Sequence, residues 1–129
     1  MKLLLDTHIL LWAAGEPERL SKRAHTLLSS PENTLFFSAA SFWEIVIKLG
    51  LGRRDFRVDP YRLRKELVAH GYVELPVMAE HVLGLQSLPP IHKDPFDRIL
   101  LAQARSEGLS LVTADAAVAE YGEPTIFVR

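Results

Sequence analysis

Residues 2–15 read KLLLDTHILLWAAG. Lys2–Leu5 is an apolar run of strand length that stops at Asp6, and Ile9, Leu10, Trp12 and Ala13 then recur before Gly15. This pattern predicts a buried strand feeding directly into a helix. Asp6 therefore stands at the C-terminal end of a strand.

The same handover recurs along the chain. Thr34–Phe37 reads as a strand, after which Ser38 can cap a helix carrying Phe42, Ile45, Val46 and Leu49 until Gly50 and Gly52. Glu44 lies among those apolar positions. In His92–Gly108, Asp94 is the expected N-cap and Pro95 the first helical residue; Phe96, Ile99, Leu100 and Ala104 form the buried stripe, and Asp97 falls in the first turn. Leu109–Thr113 is a strand running into Ala114 and Asp115, followed by a short helix over Ala116–Tyr121. Further helices are expected over Ser21–Ser30, Asp59–His70 and Met78–Leu88, and strands over Tyr72–Leu75 and Thr125–Val128. Alternation of this kind predicts an α/β fold with a mostly parallel central sheet covered on both faces, built as one domain over residues 1–129.

Asp6, Glu44, Asp97 and Asp115 thus stand where a strand hands over to a helix, or one to two turns into a helix. Singly, Asp6 and Asp115 read as N-caps, and Asp97 as a first-turn acid favoured by the helix dipole. Glu44 is different, since a carboxylate beside Phe42, Trp43, Ile45 and Val46 is costly without water, a partner or a cation. Ligands of open α/β sheets bind beyond the C-terminal strand ends. The four acids together therefore predict one carboxylate cluster, a divalent metal and phosphoester chemistry.

Four stretches, LLLDTHILLW (residues 3–12), SFWEIVIKLGLG (41–52), HKDPFDRILLAQA (92–104) and LVTAD (111–115), carry a resemblance. In that order and spacing the chain resembles the PIN domain over essentially its full length, and within it the VapC-type toxins of toxin–antitoxin pairs. The resemblance implies a three-layer α/β/α sandwich and a catalytic, metal-binding quartet at Asp6, Glu44, Asp97 and Asp115, with Thr113 and Asp94 as auxiliary groups. Ala116, Ala117 and Val118 follow Asp115 where many relatives carry a charged residue and an aromatic, which makes Asp115 the expected weak or water-mediated ligand. Also implied are endonucleolytic cleavage of single-stranded or looped RNA to 5′-phosphate and 3′-hydroxyl ends, a homodimer, and a cognate antitoxin inserting between the N-terminal helices. Oxygen donors of this kind select Mg²⁺ or Mn²⁺.

Composition narrows the alternatives. A net charge of −1 over 129 residues excludes a generally basic nucleic-acid binder, so RNA contacts must be local. Lys48, Arg53, Arg54, Lys93 and Arg98 are the candidates, with Arg57 beside them. The chain has no cysteine, which rules out thiolate metal sites and suits a cytoplasmic setting, and no run approaches the roughly 18 apolar residues of a membrane span. The histidines, His8, His25, His70, His81 and His92, show no pairing at metal-ligand spacing, and Trp12 and Trp43 read as core or interface residues. A haloacid-dehalogenase-like phosphatase needs an aspartate where His8 stands. Two rivals stay open: a PIN nuclease of RNA processing without an antitoxin, and a catalytically inactive PIN-fold binding module.

Overall fold

The computed structural model describes residues 1–52 and 57–129. Five strands, β1 (Lys2–Leu5), β2 (Thr34–Ser38), β3 (Val73–Leu75), β4 (Ser110–Thr113) and β5 (Thr125–Phe127), form one sheet in the order β3-β2-β1-β4-β5. All four adjacent pairs are parallel, so each connection crosses over the sheet, and helices make the crossings. Among the described residues these are α1 (Thr7–Gly15), α2 (Lys22–Ser29), α3 (Ala39–Gly50), α4 (Pro60–Ala69), α5 (Ala79–Leu83), α6 (Pro95–Glu107) and α7 (Ala116–Ala119).

The unbroken leucines of β1 are explained by burial on both faces. Leu3 and Leu5 join Ile9 and Leu10 of α1, Ala24 of α2 and Leu63 of α4. Leu4 points the other way, against Leu100, Leu101 and Ala104 of α6 and Val118 of α7. In β4 the sides alternate likewise, Leu111 joining Leu4 and Val112 joining Leu3 and Leu5. A strand buried twice has no polar face to alternate with. The result is the three-layer α/β/α sandwich.

Local chemistry sets most boundaries. Ser38, Asp59 and Asp94 each cap the helix that follows them, Asp94 Oδ1 accepting from the N–H groups of Phe96 and Asp97 at 2.8 and 3.1 Å. Gly108 ends α6 at φ +68°, a left-handed conformation that only glycine adopts without strain. The helix expected over Met78–Leu88 is divided: α5 stops at Leu83, and Gly84–Ser87 tightens into a 3₁₀ turn. Gly84 is a poor helix residue, and Pro89 and Pro90 prevent recovery of the α-helix beyond it. The last helix ends at Ala119 rather than Tyr121, because the backbone there tightens to i→i+3 bonds, Tyr121 N to Val118 O at 3.1 Å and Gly122 N to Ala119 O at 3.0 Å, and turns at Gly122 with φ +70°. A 3₁₀ turn at Pro17–Arg19 was not anticipated from the sequence. No helix among the described residues is long and apolar enough to cross a membrane.

Candidate active site

Chain direction across the sheet reverses at β1, which has β2 on one side and β4 on the other. The crevice beyond the C-terminal ends of β1 and β4 is therefore the expected ligand site. Asp6 follows β1 directly and is 3% exposed. Its Oδ1 accepts from Ile9 N at 2.9 Å, so Asp6 caps α1. On the next strand the Thr113 hydroxyl accepts the N–H of Asp115 at 3.0 Å, which leaves its own hydrogen for Asp6. Asp115 is exposed and caps α7 through Oδ1, which accepts from Ala117 N at 2.9 Å. The capping readings hold for Asp6 and Asp115, but each cap uses one carboxylate oxygen and leaves a second.

Asp97 is not a cap. Asp94 serves that purpose, and Asp97 Oδ2 instead accepts from His92 Nε2 at 2.8 Å. Glu44 projects from α3 into the same region and is 5% exposed. One of its oxygens, Oε2, pairs with Lys48 Nζ at 2.8 Å, while Oε1 is buried without a hydrogen-bond partner among the described residues.

The electrostatics tie these groups together. Burial, with the charges of Asp115 and Glu44 adding to it and the Ile9 N–H and the Thr113 hydroxyl opposing, pushes the Asp6 carboxyl up to about 6. Burial likewise pushes Asp97 up to about 6, with Asp94 and Asp6 adding to the rise and His92 opposing it. Asp6 thus feels Glu44 and Asp115, and Asp97 feels Asp6; Asp6 is the centre of the group. Beside Asp6 and Asp115 opens a hollow of about 190 Å³ that His8, Trp12 and Ala114 also line. An all-oxygen donor set that includes an orphaned buried carboxylate atom fits a hard divalent cation. His92, Asp94 and Asp97 also offer ligand atoms lying within 4.8 Å of one another.

Several candidates lie elsewhere than the sequence suggested. Arg98 is engaged within the protein: its guanidinium donates to the carbonyls of Leu85, Pro89 and His92 and to the Tyr121 hydroxyl at 3.0 to 3.4 Å, clasping the segment before α6. Arg98→Met is expected to destabilise the protein by about 2 kcal/mol or more, since carbonyls lose a charged donor; denaturant melts measure it. Lys48 lies on Glu44, Lys93 is exposed, and Arg53 and Arg54 are outside the described residues. His92 was missed. Histidine pairs at metal-ligand spacing were the pattern sought, whereas His92 meets an aspartate across a helix start. His81 is also among carboxylates, its Nε2 lying 3.2 Å from Glu107 Oε1. Trp43 is 62% exposed and meets Phe96 edge-on at 5.0 Å, so it is not a core residue.

A family model for the PIN domain matches residues 3–124, and the chain belongs to that family. Ribonuclease VapC22 of Mycobacterium tuberculosis is 28% identical over 124 residues, spanning 95% of this chain and 93% of that protein. Among solved structures, VapBC2 from Rickettsia felis, bound to a DNA fragment from its promoter, is similar with a TM-score of 0.68 at 14% identity, covering 98% of this chain and 97% of the other. Mycobacterium tuberculosis VapC20, a sarcin–ricin-loop-cleaving toxin, gives 0.63 at 17% identity, covering 93% and 95%. At such identities the structural likeness shows the fold.

Proposed function

We propose that this protein is a Mg²⁺- or Mn²⁺-dependent endoribonuclease and the toxin of a toxin–antitoxin pair. The observation that carries the reading is the convergence of Asp6, Glu44, Asp97 and Asp115 at the switch point, with one Glu44 oxygen buried and without a hydrogen-bond partner among the described residues. The full-length similarity to Ribonuclease VapC22 supports ribonuclease activity on a whole chain of this size.

In this mechanism Asp6, Glu44 and Asp97 would hold the ion, and Asp115 would contribute at the exposed edge. When bound, a divalent ion neutralises phosphate charge and acidifies the attacking water. Thr113 keeps Asp6 aimed and ionised by donating its hydroxyl hydrogen. His92 fixes the rotamer of Asp97, and Asp94 holds the first turn of α6 on which Asp97 rides. Lys93, exposed beside this turn, is the cation this reading assigns to an RNA backbone.

The partners follow from two surfaces. A groove of about 480 Å³ between α1 and α4, lined by Leu11, Ala14, Val58 and Leu63 with Arg57 and Arg62 at its rim, supports an antitoxin segment binding between the N-terminal helices. Trp43, Val46, Ile47 and Leu51 form an exposed apolar stripe along α3 and its end, which supports a homodimer. A cytoplasmic setting and a single domain belong to the same reading.

Purified protein should cleave single-stranded RNA with Mg²⁺ or Mn²⁺ and stop in EDTA; cleavage that persists in EDTA overturns the mechanism. Expression without a partner should arrest growth, and Asp97→Asn should relieve the arrest. Equal toxicity of the two proteins would count against a toxin acting through this site.

A further inference from the structure

Glu44 presents an unusual arrangement: a carboxylate 5% exposed, one oxygen on Lys48 Nζ at 2.8 Å and the other without a hydrogen-bond partner among the described residues. Lys48 lies one helical turn further along α3, with its side chain 24% exposed, so its ammonium reaches in from solvent and can withdraw to it. The two oxygens of Glu44 are therefore unequal: Oε2 meets a long-stemmed cation, and Oε1 is buried without a hydrogen-bond partner among the described residues.

We propose that Lys48 is a built-in counter-cation, which neutralises Glu44 in the metal-free protein and is displaced when a divalent ion takes the carboxylate. This rests on the metal-binding reading of the site, but it concerns how the empty site is kept folded and how tightly it loads. Buried carboxylate without a counter-charge is costly, and Asp6, whose acidity Glu44 already perturbs, stands beside it. Lys48 offsets part of that cost. The same contact must be loosened when the ion binds, so Lys48 competes with the metal and sets its apparent affinity. A flexible ammonium suits the task, because it can leave without dragging the backbone along.

Two signs follow, and they oppose each other. In EDTA, Lys48→Met should melt at a lower temperature than the wild type, since Glu44 loses the counter-charge at Oε2. At about pH 8, where carboxylates stay ionised, the same variant should bind Mn²⁺ about fivefold more tightly by isothermal titration, a competitor worth ~1 kcal/mol having gone. Lys48→Arg should restore the melting temperature in EDTA and return the affinity toward that of the wild type. A lysine that is only a permanent structural strut predicts a melting loss of the same size with and without Mn²⁺ and an unchanged affinity. That result, or weaker Mn²⁺ binding by Lys48→Met, overturns the inference while leaving the metal site standing. A wild type that binds no Mn²⁺ overturns the metal site and this inference together.

Discussion

Asp6→Asn should lower metal-dependent RNA cleavage by about 10²-fold or more, equivalent to ~2.7 kcal/mol of transition-state stabilisation, while leaving the fold intact. The substitution is selective because asparagine caps a helix about as well as aspartate does. The bond from Ile9 N, 2.9 Å long in the native protein, can therefore persist on the amide oxygen. Only the charge is lost, and it is lost at the residue that both Glu44 and Asp115 influence. Asp115→Asn should cost less, since Asp115 is exposed and its neighbours Ala116 and Ala117 bring no further donor. Initial rates on an end-labelled single-stranded RNA in Mg²⁺ measure both effects. An Asp6→Asn protein within a few-fold of the wild type would remove Asp6 from the chemistry, and equal losses at the two positions would contradict the central placement of Asp6.

The parts of this fold readable from the sequence are those decided within a few residues. Asp94-Pro95 and Asp59-Pro60 start helices because a cap and a pre-set φ act at one position, and both starts are where the sequence placed them. The unbroken Leu3–Leu5 run signalled burial on two faces without help from distant residues. Gly84 is the counter-case: the apolar spacing of Met78–Leu88 continues through it, yet the backbone there tightens into a 3₁₀ turn. The pairing of strands is non-local, and alternation alone could not say that every neighbour would be parallel.

At the site, residue types were legible and their second partners were not. Cap and cluster were weighed as rival readings of Asp6, although a carboxylate has two oxygens and Asp6 uses one of them for Ile9. Arg98 looked available for RNA because its charge is visible in the sequence, whereas the carbonyls of Leu85 and Pro89 that claim it are brought there only by the turn after α5. Lys48 and Glu44 are four apart on one helix, so their contact was within reach of spacing arguments. The burial that gives this contact its significance was not.

Metal-free protein is expected to grow more stable as pH falls from about 8 to about 5, against the usual trend for a protein rich in paired carboxylates. The sign follows from Asp6 and Asp97, both raised from an ordinary value of 3.8 to about 6. Between these values the folded state keeps protons that the unfolded state has released, so stability is gained as pH falls and lost as it rises. For Asp6 the penalty above pH 6 is about 3 kcal/mol; Asp97, more open to solvent, adds less. Glu74, lowered by Arg64, works in the opposite direction, but this exposed pair is weak and loses its contribution only at lower pH. Removing the charge should remove the slope: Asp6→Asn in EDTA at about pH 8 should melt roughly 5 to 10 °C above the wild type and show a flatter pH profile. Saturating Mg²⁺ should then stabilise the wild type by mass action and the variant much less. Thermal melts of both proteins at about pH 5 and 8, in EDTA and in Mg²⁺, measure all of this. If Asp6→Asn is neutral or destabilising at the higher pH, and both proteins gain equally from Mg²⁺, then the acids do not repel one another and Asp6 is a helix cap and nothing more.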